Sequence, residues 1–304
     1  MTLAAGNMTY NGVTLGPGGI AQIASVDGLA ALPASRTGDV DRPNAQGMLP
    51  GYDFMGTRSI TLNLEVTATG GNTMAANLET LRAAFLMQTV GSGGINPTAS
   101  QVLVFNFGSA TTGQPGYNRQ VSGRVRKLDA LIDIAYAAGQ FVSGIAVVPV
   151  LIECADPLIY DANIQSQSVG LQVAVGGLTF PATPPFTFGS STGGFVTADN
   201  VGSIAGPMYV TINGPCINPR IEQQTTGVTV QFNTTLGASD VLVVDSYNGS
   251  AVLNGTASRE STLAPGSYIT ALTVVPGNNT IGFYSSDVTS TAATMTVEWS
   301  NTWA

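Results

Sequence analysis

The sequence predicts a mainly β fold with two domains and one convincing helix. Among 304 residues, 37 are Gly and 16 are Pro, and both residues favour the tight turns that join short strands. Thr and Val are also frequent, and their β-branched side chains fit a pleated surface. Hydrophobic residues make up 44% of the chain, which is typical of folded domains, and the length allows two cores.

The clearest strand pattern covers residues 58–67. Apolar and polar side chains alternate there, so one face would carry four apolar residues: Ile60, Leu62, Leu64 and Val66. A period of two predicts a strand with one buried face.

Residues 73–88 carry the only convincing helical pattern. Asn72 is the predicted N-cap, and Gly91 stands where such a helix would end. The spacing predicts one buried stripe, formed by Met74, Leu78, Leu81 and Phe85. We interpret this stripe as packing against a core and not as a cofactor site.

Three further strands are predicted before residue 155. They are residues 102–107, residues 121–131 with a hairpin partner downstream, and residues 141–154. The last segment is apolar on both faces, which indicates a strand covered on both sides. Pro149 cannot donate to a strand ladder, so we expect a bulge or an edge at that point.

The composition changes near residue 165, where we place the boundary between domains 1–165 and 166–304. The second domain shows no helical periodicity, and turn signals such as Asn248-Gly249 and Pro265-Gly266 separate its strands. Its predicted strands cover residues 208–213, 228–233, 241–245, 269–275, 280–284 and 294–299. Short strands spaced in this way favour a β-sandwich.

The charge balance argues against nucleic acid as the main partner. The formal net charge is −8 with only 10 Lys and Arg residues, whereas binding to phosphates needs clustered cations. Arg124, Arg126 and Lys127 alone approach a basic patch, and we interpret them as one solvated strand face.

Catalysis finds little support in the sequence. The chain has no His, the residue that most often transfers protons at neutral pH. Asp129 with Asp133, or Glu153 with Asp156, are candidate glycosidase pairs, but scattered acids form such pairs by chance. Lys127 is the single lysine and follows no nucleophile motif. We therefore predict no enzyme, no cofactor and no metal site.

Cys154 and Cys216 are the only cysteines. The opening residues lack the basic and apolar regions of a signal peptide, and no apolar run is long enough to span a membrane. We therefore expect synthesis in a reducing cytoplasm, no membrane insertion, and two free thiols packed as small hydrophobic groups.

Aromatic residues near the chain end supply the best site-like feature. Trp299 alternates with Met295 and Val297, so we interpret it as a core residue. Trp303 stays open as a candidate glycan contact, with Tyr268, Phe283 and Tyr284 nearby in sequence. A β-sandwich with exposed aromatic rings can bind sugars, and this is the alternative to a purely structural role.

The order of short motifs along the chain resembles siphophage distal tail proteins, which are baseplate hub components of long non-contractile tails. Arg42-Pro43 with Gly47 is followed by Arg58 within Gly56–Ile60, and later by Asp156-Pro157 with Tyr160. The second domain continues the resemblance with Asn213-Gly214-Pro215 and with Pro276-Gly277-Asn278-Asn279.

The resemblance implies a hexameric ring at the phage tail tip. It implies a tail-tube-like N-terminal β-sandwich with one helix and a galectin-like C-terminal β-sandwich. The partners would be the tail-tube protein, the tail-associated hub protein, and receptor-binding proteins or host glycans, while DNA passes through the lumen without specific binding. The alternatives are a carbohydrate-binding module for host attachment and a tail-tube subunit.

Several residues are candidates for structural or interface roles in such a tail protein. Asp156, Pro157 and Tyr160 would fix the exit from the N-terminal domain, and the Asn213-Gly214-Pro215 turn would shape the second domain. The outer face of the predicted helix is a candidate subunit interface, formed by Asn77, Glu79 and Arg82.

Overall fold

The computed structural model describes residues 3–69, 71–86, 102–106, 108, 118–128, 145–171, 173–175, 190–192, 194–286 and 292–304. Two compact units divide the chain: Met1–Ala162 together with Ala304, and Asn163–Trp303. We call them the N-terminal unit and the C-terminal unit.

The N-terminal unit is built from antiparallel strands and one α-helix, α1 (Met74–Ala84). Its described strands are β1 (Met8–Tyr10), β2 (Val13–Leu15), β3 (Ala21–Asp27), β4 (Ser35–Arg36), β5 (Val40–Asp41), β6 (Met48–Leu49), β7 (Phe54–Met55), β8 (Arg58–Thr67), β9 (Val102–Asn106), β10 (Asn118–Ser122), β11 (Arg124–Lys127), β12 (Ile145–Cys154) and β13 (Ile159–Asp161).

Two sheets organise this unit, one with the strand order β2-β1-β9-β10-β13 and one with the order β11-β12-β8-β3. The long strands β8 and β12 pair without interruption, so that Ile60 lies opposite Ile152 and Leu64 opposite Val148. All four of these side chains are fully buried. The predicted alternation in residues 58–67 is thus confirmed, and it supplies the centre of the core.

Pro149 lies opposite Asn63 in this continuous pairing, so no bulge occurs there. On its other side β12 pairs with β11 only as far as Leu151 within the described residues, and the register shift falls on β11, between Val125 and Lys127. The predicted edge at Pro149 stays a prediction, because residues 129–144, which follow β11, lie outside the described residues.

The helix is shorter than predicted and begins one residue later. Thr73, not Asn72, is the N-cap, because its side-chain oxygen accepts a hydrogen bond from the amide of Ala76. The helix ends at Ala84, with Phe85 as the C-cap, whereas Gly91 lies outside the described residues. The predicted stripe is confirmed, since Met74, Leu78, Leu81 and Phe85 are all buried.

The C-terminal unit consists of short strands and two 3-10 turns, Glu260–Thr262 and Ile269–Ala271. Its described strands are β14 (Gln165–Gly170), β15 (Val173–Val175), β16 (Ser190–Thr192), β17 (Phe195–Asn200), β18 (Gly206–Asn213), β19 (Cys216–Ile217), β20 (Arg220–Gln223), β21 (Val228–Gln231), β22 (Thr235–Leu236), β23 (Val241–Asp245), β24 (Ser250–Leu253), β25 (Ala257–Ser258), β26 (Thr273–Val274), β27 (Gly277–Tyr284), β28 (Thr294–Trp299) and β29 (Thr302–Trp303).

Two sheets form a sandwich in this unit, with the strand orders β14-β28-β18-β23-β24-β25 and β17-β27-β20-β21. One cluster of buried side chains joins them, because it contains Val210 and Val297 from the first sheet and Ile221 and Phe283 from the second. The predicted mainly β fold is confirmed. The description as galectin-like stays a prediction.

Two strand predictions in this unit need correction. Residues 269–275 contain a 3-10 turn before the short strand β26, so they do not form one strand. The strand predicted over residues 280–284 begins at Gly277, within the segment interpreted as a turn. The reason is Asn279, whose amide is fully buried and hydrogen-bonded instead of facing solvent.

Candidate functional site

A long hairpin extends from the N-terminal unit between residues 32 and 56, and we call it the arm. Its strands pair as β4 with β7 and as β5 with β6. The predicted motif Arg42, Pro43 and Gly47 forms the tip, where the amide of Arg42 donates to the carbonyl oxygen of Gly47 at 3.3 Å. Gly47 has φ +89°, a left-handed conformation that favours glycine at this turn.

Large apolar side chains are exposed along the whole arm. Tyr52 is 86% exposed and Leu32 is 76% exposed. The other exposed members are Val40, Met48, Leu49, Phe54 and Met55. Leu32, Pro33, Ser35, Asp53, Phe54 and Met55 line an open apolar cleft of about 230 Å³ at the base of the arm. Patches of this kind are typical of surfaces that meet another protein.

Sequence reasoning missed the arm. Its strands contain two residues each, which is too short for a period to be recognised. The usable signal was the placement of seven large apolar residues in a segment rich in Gly, Pro and Asp.

Arg58 fixes the base of the arm. It is 1% exposed although it carries a charge, because it continues the buried face of β8 opposite Cys154. Its Nη1 donates to three backbone carbonyl oxygens at 2.6–3.1 Å, those of Gly28, Leu29 and Ala31. Burial lowers the pKa of Arg58, but a guanidinium stays protonated in proteins.

The same guanidinium also holds the segment that leaves β12. Arg58 Nε donates to the carbonyl oxygen of Pro157 at 2.8 Å. Asp156 is buried and accepts hydrogen bonds from the amide of Leu158 at 3.1 Å and from the hydroxyl of Tyr160 at 2.8 Å. The structure therefore brings Arg58, Asp156, Pro157 and Tyr160 together, as a hydrogen-bonded crossing between the arm and β13.

The helix face predicted as an interface is only partly exposed. Asn77 is fully buried, and its Nδ2 donates to the carbonyl oxygen of Thr67 at 2.8 Å, so its assignment to the outer face was wrong. The same Nδ2 donates to Thr69 Oγ1 at 3.3 Å, whereas Oδ1 is buried without a hydrogen-bond partner among the described residues. Glu79 and Arg82 do lie on the outer face and form an ion pair at 3.5 Å.

The Asn213-Gly214-Pro215 motif closes a loop at the end of β18. Asn213 Nδ2 donates to Thr294 Oγ1 at 3.2 Å, and the amide of Gly214 donates to the carbonyl oxygen of Asp240 at 2.9 Å. The Gly214–Pro215 peptide bond is cis. These contacts give the motif a place in the local fold of the C-terminal unit.

Of the candidate catalytic groups, the two that the structure describes, Glu153 and Asp156, take structural positions. Glu153 Oε2 accepts from Arg126 Nε at 2.6 Å, and Asp156 is occupied by Leu158 and Tyr160. Asp129 and Asp133 lie outside the described residues. Within the described ranges no group of three or more His, Cys, Asp or Glu side chains is placed to hold a metal ion.

Both cysteines are free and buried, as predicted. Burial raises the pKa of Cys154 to about 12, so this thiol stays neutral at physiological pH and has little reactivity. In the part of the chain that the structure describes, no helix is long and apolar enough to cross a bilayer.

The two tryptophans have different environments. Trp299 is buried in the sandwich core, as predicted, and its Nε1 donates to the carbonyl oxygen of Asp199 at 2.8 Å. Trp303 is partly exposed in β29. Of the other aromatic residues near the chain end, Phe283 is fully buried, whereas Tyr268 is 69% exposed.

A network of buried amides in the C-terminal unit was also missed. Gln223 Nε2 donates to Asn279 Oδ1 at 2.8 Å, and Asn279 Nδ2 donates to the carbonyl oxygens of Val275 and Ala198 at 2.7 and 3.2 Å. Asn200, also fully buried, donates to the carbonyl oxygen of Val274 at 2.9 Å. Amides in strand patterns were the available signal, but they look like solvent-facing residues in a sequence.

Residues 202–303 match the family model of the siphovirus-type tail component, C-terminal domain. No curated protein matches the sequence. Among solved structures, the chain is similar to the Dit protein of phage SPP1, described as a paradigm of the hub adsorption apparatus in phages that infect Gram-positive bacteria. The two share 12% identity over 97% of this chain and 98% of that chain, with a TM-score of 0.56.

Two structures of the phage P2 baseplate in its activated conformation, with Ca and with Sr, align over 92% of this chain at 9% identity. The two alignments cover 91% and 90% of the baseplate chains, with TM-scores of 0.45 and 0.44. At 12% identity the likeness to SPP1 Dit concerns the fold alone. Residues 202–303 thus match a siphovirus-type tail component domain, and the mainly β fold of the chain is similar to that of SPP1 Dit.

Proposed function

We propose that this protein forms a closed ring at the tip of a long non-contractile phage tail. The ring joins the tail tube to the hub and host-recognition proteins, and DNA passes through its lumen. The role is architectural and needs no catalysis. The likeness to a hub protein of phage SPP1 supports this placement.

The single observation that carries the proposal is the exposed apolar arm. Seven large apolar side chains lie in solvent between residues 32 and 55, and transferring them from water to a protein contact releases about 25 cal/mol for each Å² of apolar surface. In a ring of identical subunits, every arm has a second copy of the chain as its neighbour. The arm therefore docks on a neighbouring subunit.

A ring also requires that each subunit present two different surfaces. Head-to-tail contacts close into a ring when the rotation between subunits is an integral fraction of a full turn. The arm is one such surface, because it extends from one place on the N-terminal unit. We assign Glu79 and Arg82 on the outer face of α1 to a neighbouring contact as well, because they are exposed and carry a neutral pair of charges.

The charge of the chain suits a lumen through which DNA moves. With a net charge of −8 and only 10 Lys and Arg residues, the subunit offers few cations for phosphates to bind. A negative surface repels DNA and so keeps it from adhering during ejection.

The experiment that tests this function is a mass measurement on the purified full chain by light scattering, with negative-stain images of the same fractions. Discrete rings near six times 31.1 kDa are expected. Open-ended tubes of variable length would instead indicate a tail-tube subunit. A monomer at every concentration tested would contradict self-assembly through the arm.

A further inference from the structure

The sheet β17-β27-β20-β21 carries a cluster of aromatic and charged side chains on its solvent side. Its members are Phe195, Tyr284, Arg220, Glu222 and Gln224, and we call them the aromatic platform. Phe195 is 41% exposed, whereas the next residue in β17, Val196, is buried in the sandwich core. The alternation of a strand thus places these side chains opposite the core.

Gly282 and Gln224 fix the position of the Tyr284 ring, the first beneath the ring and the second at its hydroxyl group. A Cβ atom at Gly282 would lie 2.6 Å from Tyr284 Cε2 and 3.0 Å from its hydroxyl oxygen, so the ring extends back over a residue without a side chain. The hydroxyl accepts a hydrogen bond from Gln224 Nε2 at 3.0 Å. Gly282 therefore provides the space that the ring occupies, and Gln224 fixes its direction.

The remaining members pack on this ring. Phe195 contacts Tyr284 edge to face, with centroids 6.1 Å apart and an interplanar angle of 84°. Arg220 Cζ lies 4.4 Å from the Tyr284 centroid, which is a cation–π geometry. Arg220 Nη2 is also 3.5 Å from Glu222 Oε2, so the charge of the guanidinium is offset by a carboxylate.

We propose that the aromatic platform binds a neutral pyranose saccharide. The C–H face of a pyranose ring stacks on the exposed ring of Phe195. The guanidinium of Arg220 and the amide of Gln224 donate to sugar hydroxyls, and the carboxylate of Glu222 accepts from them. This inference does not depend on ring assembly, because all five side chains belong to the C-terminal unit.

The charges select a neutral ligand. Arg220 and Glu222 form a pair without net charge, and the chain as a whole carries −8. A phosphate or sulfate would find no uncompensated cation in the platform, and the field of the protein opposes its approach. Hydroxyl groups, which donate and accept at once, match the mixed donors and acceptors on the sheet.

Binding can be measured on the full chain by saturation-transfer NMR and calorimetry with four probes: cellotriose, maltotriose, lactose and triacetylchitotriose. We expect at least one of them to bind with a Kd of about 1 mM, which is typical of a single shallow contact. Phe195→Ala should weaken that binding by about tenfold. Tyr268→Ala is the matched control, because Tyr268 is exposed in the same unit but lies outside the platform, and it should leave the affinity unchanged.

A second variant guards against a change in folding. Arg220→Met keeps much of the apolar stem but removes the donors, and it too should weaken the affinity for the same probe. The proposal is overturned if none of the four probes binds, if Phe195→Ala and Arg220→Met bind as tightly as the wild type, or if only a sulfated oligosaccharide binds. A change in oligomer mass with Phe195→Ala would identify the platform as a contact between copies and would overturn it as well.

Discussion

The arm and the C-terminal sandwich both place apolar side chains on antiparallel strands, but the two regions leave these side chains in opposite environments. In the sandwich, residues such as Val210, Val297 and Phe283 are fully buried between two sheets. In the arm, Leu49 and Tyr52 lie in solvent. The sandwich supplies its own second layer, whereas the two-stranded arm leaves its apolar side chains exposed, and we propose that another subunit covers them.

This difference separates stability from assembly. Changes within the sandwich core should lower the free energy of unfolding without altering the oligomer. Changes along the arm should alter the oligomer without lowering that free energy, because exposed side chains contribute little to folding.

The largest effect is expected from polar substitutions in the arm. Val40→Ser, Leu49→Ser and Tyr52→Ser combined should convert rings into monomers, because the apolar surface that docks on a neighbour is lost. Light scattering at matched concentration measures the mass, and thermal unfolding checks the fold.

The C-terminal unit offers a matched control for this variant. Val201→Ser, Ile217→Ser and Tyr268→Ser replace exposed residues of similar size, and rings should persist. If both triple variants dissociate equally, or if the arm variant remains a ring, the assignment of assembly to the arm is incorrect.

We expect a change at Arg58 to affect both the free energy of unfolding and the assembly. Arg58→Met removes the hydrogen bonds to Gly28, Leu29, Ala31 and Pro157 and leaves buried carbonyl oxygens without donors. We expect a loss of about 4 kcal/mol in the free energy of unfolding, measured in urea, together with weaker assembly.

Arg36→Met is the control for this change, because Arg36 is an exposed arginine of the arm that stacks on Phe54. It should cost less than about 0.5 kcal/mol of stability. Equal losses in the two variants would show that the buried guanidinium has no special role at the base of the arm.

A comparable loss without any change in assembly is expected in the sandwich. Asn279→Ala deprives Gln223 Nε2 of an acceptor and the carbonyl oxygen of Val275 of a donor. The expected cost is about 3 kcal/mol in urea unfolding, with the oligomer mass unchanged under native conditions. Asn278→Ala, at the exposed neighbouring position, should be nearly neutral, and a similar cost for both would argue against the buried network.

Alkaline pH should destabilise the N-terminal unit through Cys154. Its pKa rises from 9.0 to about 12 on burial, so the folded state keeps the proton that the unfolded state releases. Stability is therefore complete below pH 9.0 and falls by about 1.4 kcal/mol for each pH unit up to about 12.

The corresponding measurement is the urea midpoint as a function of pH in the wild type and in Cys154→Ala. The variant should lose less stability over this window, with the remaining slope coming from Tyr10, whose pKa burial also raises to about 12. Parallel curves for the two proteins would contradict a neutral buried thiol.

The smallest effect is expected on the outer face of α1. Glu79→Ala breaks an exposed ion pair with Arg82, so thermal unfolding should register a change below about 0.5 kcal/mol. Any larger effect would have to appear in the oligomer mass, where it would support the proposed neighbouring contact. An unchanged mass would remove this face from the interface.

The sequence predictions are correct where buried apolar side chains form a regular pattern, and they are wrong where polar side chains are buried. The strand over residues 58–67 and the stripe along the helix were predicted because alternation and helical spacing directly report a buried face. Asn77 and Asn279 were misjudged because a buried amide with local acceptors has the same letter as a solvated one.

The arm could not be predicted from the sequence for a different reason. Hydrophobic patterns indicate which residues the chain buries in its own core, and the large apolar residues of the arm are exposed in this chain. A candidate site made of exposed apolar side chains thus has to be recognised from three-dimensional exposure. The predicted motif Arg42, Pro43 and Gly47 lies at the tip of the arm, but the motif alone does not indicate an exposed apolar surface.

The most direct test of assembly through the arm is a cryo-electron microscopy map of the assembled protein, inspected for the surroundings of residues 32–56. We predict a ring in which Leu49 and Tyr52 are buried against the neighbouring copy. A ring in which the arm remains exposed to solvent on every subunit would contradict it.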